Sequence, residues 1–153
     1  MTDLSSLLAR AESATGSDRE LARDIWEALT GECTHRNTHF VELENDEREL
    51  ECSDCGADTY GANKWSAILS SLDSAIALCE RALPGWRCGV RNHNTDEGDG
   101  AFAWVNSRDY RLDWEQRGAD DLRCHQTGNR ASADANTMPI ALCAAIIKAR
   151  MET

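Results

Sequence analysis

The chain lacks any apolar run long enough to cross a bilayer. Its longest, Pro139 to Ile147, is well short of the roughly 20 residues that a spanning helix needs. Met1 to Arg10 does not read as a secretion signal: it carries one acid and one base, with no small-residue cleavage site behind an apolar stretch. The chain lacks net positive charge. A net charge of −11 repels phosphate backbones, which argues against general nucleic-acid binding and leaves room only for a local basic patch. The acids are spread along the whole chain, as on a solvated surface, and not gathered as a DNA mimic would require. No P-loop, Gly-x-Ser-x-Gly or dinucleotide fingerprint is present, and Asp96-Glu97 falls in a polar loop. There is no internal repeat, low-complexity run or long linker. The expectation is a single domain over 1–153 that is not an enzyme and does not enter a membrane.

What the chain does have is cysteine. Seven thiols, an odd number, without an export signal point to a reducing cytoplasm rather than a disulfide framework. Cys79, Cys88, Cys124 and Cys143 sit in apolar periodic segments and read as small core residues. The other three form a pattern with a histidine: Cys33-Thr-His35, sixteen residues, then Cys52-Ser-Asp-Cys55-Gly56. Each half offers two soft ligands at a turn, and the spacer is long enough for a hairpin to fold back. Cys33, His35, Cys52 and Cys55 therefore read as a zinc site. His39 is the alternative nitrogen ligand, although a two-residue step keeps Cys33 and His35 on one side of an extended turn. Four protein ligands fill a tetrahedral zinc, so its role is structural. The segment over 32–61 reads as an inserted hairpin, too poor in large apolar groups to fold without the metal. Its polar tip, Glu42 to Glu49, is a candidate contact surface.

Periodicity supplies the frame. A helix is predicted over 2–14, with Leu4, Leu7, Leu8 and Ala11 on one face. A second starts at a capping box, Ser17 to Glu20, and stops at Gly31. Strands His39–Leu43 and Arg48–Cys52 alternate around a polar turn. A third helix is predicted over 66–83, ended by Pro84-Gly85. Strands follow at 86–91, 101–105 and 110–114, with a short one at 121–125, and loops are expected at 92–100 and 128–135. A last helix runs over 138–151, capped by Asn136 or Thr137, with Pro139 in its first turn. Short strand connections require antiparallel pairing. The fold class is α+β: an antiparallel sheet packed with helices, like an α-β-α sandwich, plus a zinc-stapled β-hairpin.

Two further constellations stand out. Cys88, His93, Cys124 and His125 resemble a second metal set, but both pairs point to opposite faces of an extended strand, which argues against it. Arg87, Arg91, Arg108 and Arg111 lie near Trp86, Trp104, Tyr110 and Trp114. Arginine beside aromatics can hold a nucleotide, the fork on phosphate and the ring on the base. Strand alternation points the aromatics opposite to the arginines, which favours aromatics in the core and arginines in solvent.

Ser71 to Arg87, and Asn136 to Arg150 beyond the sheet, resemble small phage and prophage proteins grouped as a phage α-β-α sandwich domain. Leu7 to Trp26 is similar to their N-terminal helices. The resemblance implies a sheet with helices packed on it and brings no catalytic residue; the cysteine insert looks like an elaboration found in only some of them. The expected function is a non-enzymatic phage accessory protein in the host cytoplasm, binding a host or phage protein, counter-defence included. The alternative is a protein that sequesters a small anionic nucleotide signal on the four arginines, in a monomer or across a homo-oligomer. A virion or assembly component is the third reading.

Overall fold

A computed structural model describes residues 3–34, 36–42, 48–55, 65–95, 98–116 and 122–153. For residues 42, 48–50, 93–95, 98–99, 113–116 and 122–125 it describes the backbone alone. The order is α1 (Leu4–Ser13), α2 (Arg19–Thr30), β1 (Thr38–Glu42), β2 (Arg48–Cys52), α3 (Leu72–Ala82), β3 (Arg87–Thr95), β4 (Gly98–Asn106), β5 (Arg111–Gln116), β6 (Leu122–Thr127), β7 (Arg130–Ala135) and α4 (Met138–Glu152).

Local chemistry sets the helix ends. Asp3 caps α1, accepting from the Ser5 and Ser6 amides at 3.2 Å. Asp18, not Ser17, caps α2, accepting from Glu20 and Leu21 at 2.9 and 3.0 Å. A carboxylate is the stronger acceptor at a positive helix end. Gly31 stops α2 at φ 69°, a left-handed conformation that glycine adopts without a steric cost. The third helix starts at Leu72 rather than 66. Ser71 caps it, and Trp65 to Ser70 form turns that still bury Trp65, Ile68 and Leu69.

Every pairing is antiparallel, as short connections demand. A three-stranded sheet runs β3-β4-β7; β1-β2 and β5-β6 are separate two-stranded ribbons. The expected loop over 92–100 is instead a tight hairpin, with Thr95 opposite Gly98. The expected loop over 128–135 holds β7. Its alanines alternate with polar residues and bury Ala131 and Ala133, so a strand forms where propensity predicts none. Because β4 pairs with β7 and β5 with β6, one long ribbon runs past the sheet. It breaks at Ser107–Tyr110 and Gly128–Asn129, where Ser107 and Asn129 exchange hydrogen bonds at 2.9 Å. A Cβ on Gly128 would lie 2.7 Å from the Tyr110 backbone, so no other residue fits that crossing.

The layers differ from the expected sandwich. α4 is apolar almost all round and buries Ile140 to Ile147 and Ala149. One side packs on β4 and β7, the other on α1 and α3. α1 also reaches β7, so α4 is not alone against the sheet. The sheet face towards α4 carries Ala101, Ala103, Val105, Ala131 and Ala133, small residues that let helix and strand backbones approach closely. Among the described elements no helix packs on the opposite face, where Arg87, Arg91, Arg130 and Asp134 are exposed.

Candidate metal centre and open sheet face

Cys33 sits just beyond the α2 stop, in a segment pinned on both sides. Glu32 pairs with Arg81 of α3, whose guanidinium also lies 5.6 Å from the Trp26 ring centre. The buried Thr34 hydroxyl donates to Glu27. Arg36 forks onto α2, donating to Glu27 at 3.1 and 2.8 Å and to Asp24, and Asp24 also accepts from Arg10 of α1 at 2.7 Å. Partial burial opposes the charge on Asp24, yet hydrogen bonds from Arg10 and Arg36 outweigh it and hold the carboxyl below its ordinary range. Glu27 is lowered in the same way: burial raises it, and Arg36 and Thr34 more than compensate.

The hairpin closes the other half. Its register places Thr38 opposite Cys52 and extends one step further, where the Ser53 amide donates to the Asn37 carbonyl at 2.7 Å. The Asn37 amide donates to Asp54 at 3.1 Å. These contacts carry Cys52 and Cys55 to Cys33. The Cys33 and Cys52 Sγ atoms are 3.6 Å apart, and the three Sγ atoms all lie within 4.8 Å of one another. A disulfide needs about 2.05 Å, so this is a cluster of thiols, and three convergent soft ligands could hold a metal ion. Burial grades from Cys52, fully buried, through Cys33 to exposed Cys55. His35 lies outside the described residues. His39 is not part of the cluster; its Nδ1 is 2.9 Å from the Ser53 hydroxyl instead. The tip over 43–47 also lies outside the described residues, as do the side chains flanking it.

Cys79 and Cys143 are buried in the core, and Cys88 packs against it. Burial pushes Cys143 up to about 12, and Cys79 likewise, with Cys88 adding to the rise, so both stay protonated and unreactive. The side chains of His93, Cys124 and His125 lie outside the described residues.

The arginines require a correction. Residues directly opposite in an antiparallel pair point to the same face. Arg91 is opposite Phe102, Gly89 opposite Trp104, and Arg87 opposite Asn106. Phe102 and Trp104 therefore share the open face with Arg87 and Arg91. Trp86, Cys88 and Val90 pack against the core instead. The Arg91 guanidinium lies 4.9 Å from the Phe102 ring centre. The Trp104 indole lies flat across β3, since a Cβ on Gly89 would sit 2.3 Å from its ring. Gly89 has no positive φ and is needed there for space alone. Arg108 and Arg111 are exposed on the turn and at the start of β5, beyond the end of this sheet. Arg130, hidden from sequence reasoning by the low strand propensity of 130–135, completes the end row opposite Asn106. It stacks on Tyr110 at 5.7 Å and donates to its hydroxyl at 3.2 Å.

No family model, curated protein or solved structure matches this chain. Its fold is mixed α+β, and none of its described helices is long and apolar enough to cross a membrane.

Proposed function

We propose that the protein works by binding, not catalysis, and that the open sheet face takes a ligand with both an anionic group and a flat ring: the nucleotide class. One observation carries this reading. Arg87, Arg91, Phe102 and Trp104 share one face that no described helix covers, in a chain whose net charge is −11. Arginine forks match phosphate bidentately, and an indole lying flat offers its outer surface for stacking. In the setting implied by the resemblance to phage proteins, this is an accessory protein of the host cytoplasm that removes a nucleotide from circulation, a counter-defence role. Tryptophan fluorescence during titration with nucleoside mono- and diphosphates tests it. Quenching that saturates and disappears in Arg91→Gln supports it; no quenching at millimolar ligand overturns it.

We assign the thiol cluster to zinc, with His35 as fourth ligand. A tetrahedron with metal–sulfur bonds of about 2.3 Å has an edge of about 3.8 Å, close to the 3.6 Å between Cys33 and Cys52. With four protein ligands the metal has no open position. It staples the hairpin to the end of α2. One equivalent of zinc in purified protein is expected, and less than half an equivalent contradicts the assignment.

A protein partner is the second reading. Phe40 is 69% exposed on β1, on a hairpin held by the Arg36 and Arg81 ion pairs. Isolated exposed apolar side chains are common, so this ranks below the open face.

A further inference from the structure

We propose that the open face is built for a single-stranded nucleic acid rather than for a free nucleotide. This rests on the nucleotide reading above and asks how much of a strand the face accepts. The face has three cross-strand rows. Arg91, Phe102 and Asp134 form the first; Gly89, Trp104 and Ser132 the second; Arg87, Asn106 and Arg130 the third. Successive rows are two residues apart along each strand, about 6.8 Å, so the track is about 14 Å long. Tyr110 continues it, stacked on Arg130 just past the end row. A stacked strand advances about 3.4 Å per nucleotide, so the track spans about four nucleotides and exceeds one.

The layout separates the two tasks of single-strand binding. Phe102 and Trp104 sit at alternate positions of β4, the central strand, with alanines behind them on the α4 side. Aromatics on the middle of an open antiparallel sheet backed by helices are a known solution for stacking successive unpaired bases. Arginines occupy both edges: Arg87 and Arg91 on β3, Arg130 on β7. Arg87 and Arg130 flank the rings where a backbone would run, and Arg91 lies over the Phe102 ring. Gly89 is the telling position. An ordinary side chain there would displace the indole, and glycine lets it lie against β3.

The chain's acidity sharpens the choice of strand. A duplex presents one charge per about 1.7 Å and hides its bases in the stack, so it meets the −11 repulsion with nothing for the rings to hold. A single strand has fewer charges and free bases. Arg87 and Arg91 on β3 and Arg130 on β7 direct the backbone towards the β3 edge and the Arg130 corner.

The test is competition and direct titration of the full-length protein, followed by fluorescence anisotropy. The probes are an eight-nucleotide single strand, as DNA and as RNA of one sequence, the same sequence as a duplex, and a mononucleotide. The inference expects the single strand to bind at least tenfold tighter than the mononucleotide or the duplex. It also expects a logarithmic salt slope near −2, from about three neutralised phosphates. Trp104→Ala should weaken the single strand by about 5- to 150-fold and Trp104→Phe much less, with both variants keeping the wild-type circular dichroism. Gly89→Ala should weaken it although no charge or ring is removed. A mononucleotide that binds as tightly as the eight-nucleotide strand overturns this inference and leaves the nucleotide reading standing. Failure of all four probes overturns both. The DNA and RNA arms identify which strand is preferred.

Discussion

The two faces of the three-stranded sheet are made from the same strands, yet their side chains follow opposite rules. Towards α4 the residues are small, namely Ala101, Ala103, Val105, Ala131 and Ala133, and almost no surface remains exposed. On the other side they are the largest in the sheet, Phe102, Trp104, Arg87, Arg91 and Arg130, and the one glycine between them makes room for a ring. Close approach of a helix explains the first set. Nothing within the described fold requires the second, since stability would be served by short polar residues on a solvated face. That contrast is why function is assigned to the outer face and stability to the inner.

The largest effect should come from introducing one charge on each face. Ala103→Asp buries a carboxylate against α4 with no partner, which costs several kcal/mol and should leave the chain largely unfolded by circular dichroism. Ser132→Asp, on the open face, should change stability by less than about 1 kcal/mol and should weaken anionic ligands instead. Equal effects of the two would erase the distinction between the faces.

Next in size is the metal. Cys52→Ser or a strong chelator should release the hairpin: proteolysis then cuts within 38–55, while α4 and the sheet keep their protection in hydrogen exchange. Loss of the whole fold on chelation would show that the hairpin is not a separate staple. Gly89→Ala should be milder, costing about 1–3 kcal/mol through the displaced indole, or about 2–4 °C per kcal/mol in a chain of this size. Its larger consequence should be on ligand binding.

The smallest effect is on pH. Asp24 and Glu27 are held below their ordinary values by Arg10, Arg36 and Thr34. Their contribution is therefore present above the unfolded-state carboxylate range, near pH 4, and is lost as pH falls through the lowered folded values. These pairs are half-exposed, so each contributes about 0.2–1 kcal/mol. Asp24→Asn should remove part of the acid sensitivity between pH 5 and 2 in urea titrations.

The thiol cluster was legible in the sequence because cysteine spacing is local: Cys52 and Cys55 lie three apart at the end of a strand, and Cys33 follows a glycine stop. The helices were legible through their apolar periodicity, with Asp18 displacing Ser17 as the cap. The open face was not legible. It depends on register, and register depends on the turn at Thr95–Gly98, which a polar sequence disguised as a loop. Once Thr95 pairs with Gly98, Arg91 must fall opposite Phe102. β7 was hidden for another reason. Arg130 to Ala135 has low strand propensity, and only the close packing of α4 rewards its alanines. Arg130 was lost with it.

The most direct test of the central claim is a two-dimensional NMR titration of the full chain with an eight-nucleotide single strand. The account predicts that the Trp104 indole N–H moves with the amides of Arg87–Arg91, Phe102–Asn106 and Arg130–Asp134, while the amides of the β1–β2 hairpin stay still. Shifts confined to residues 38–42 and 48–55, or no shifts at millimolar strand, would contradict it.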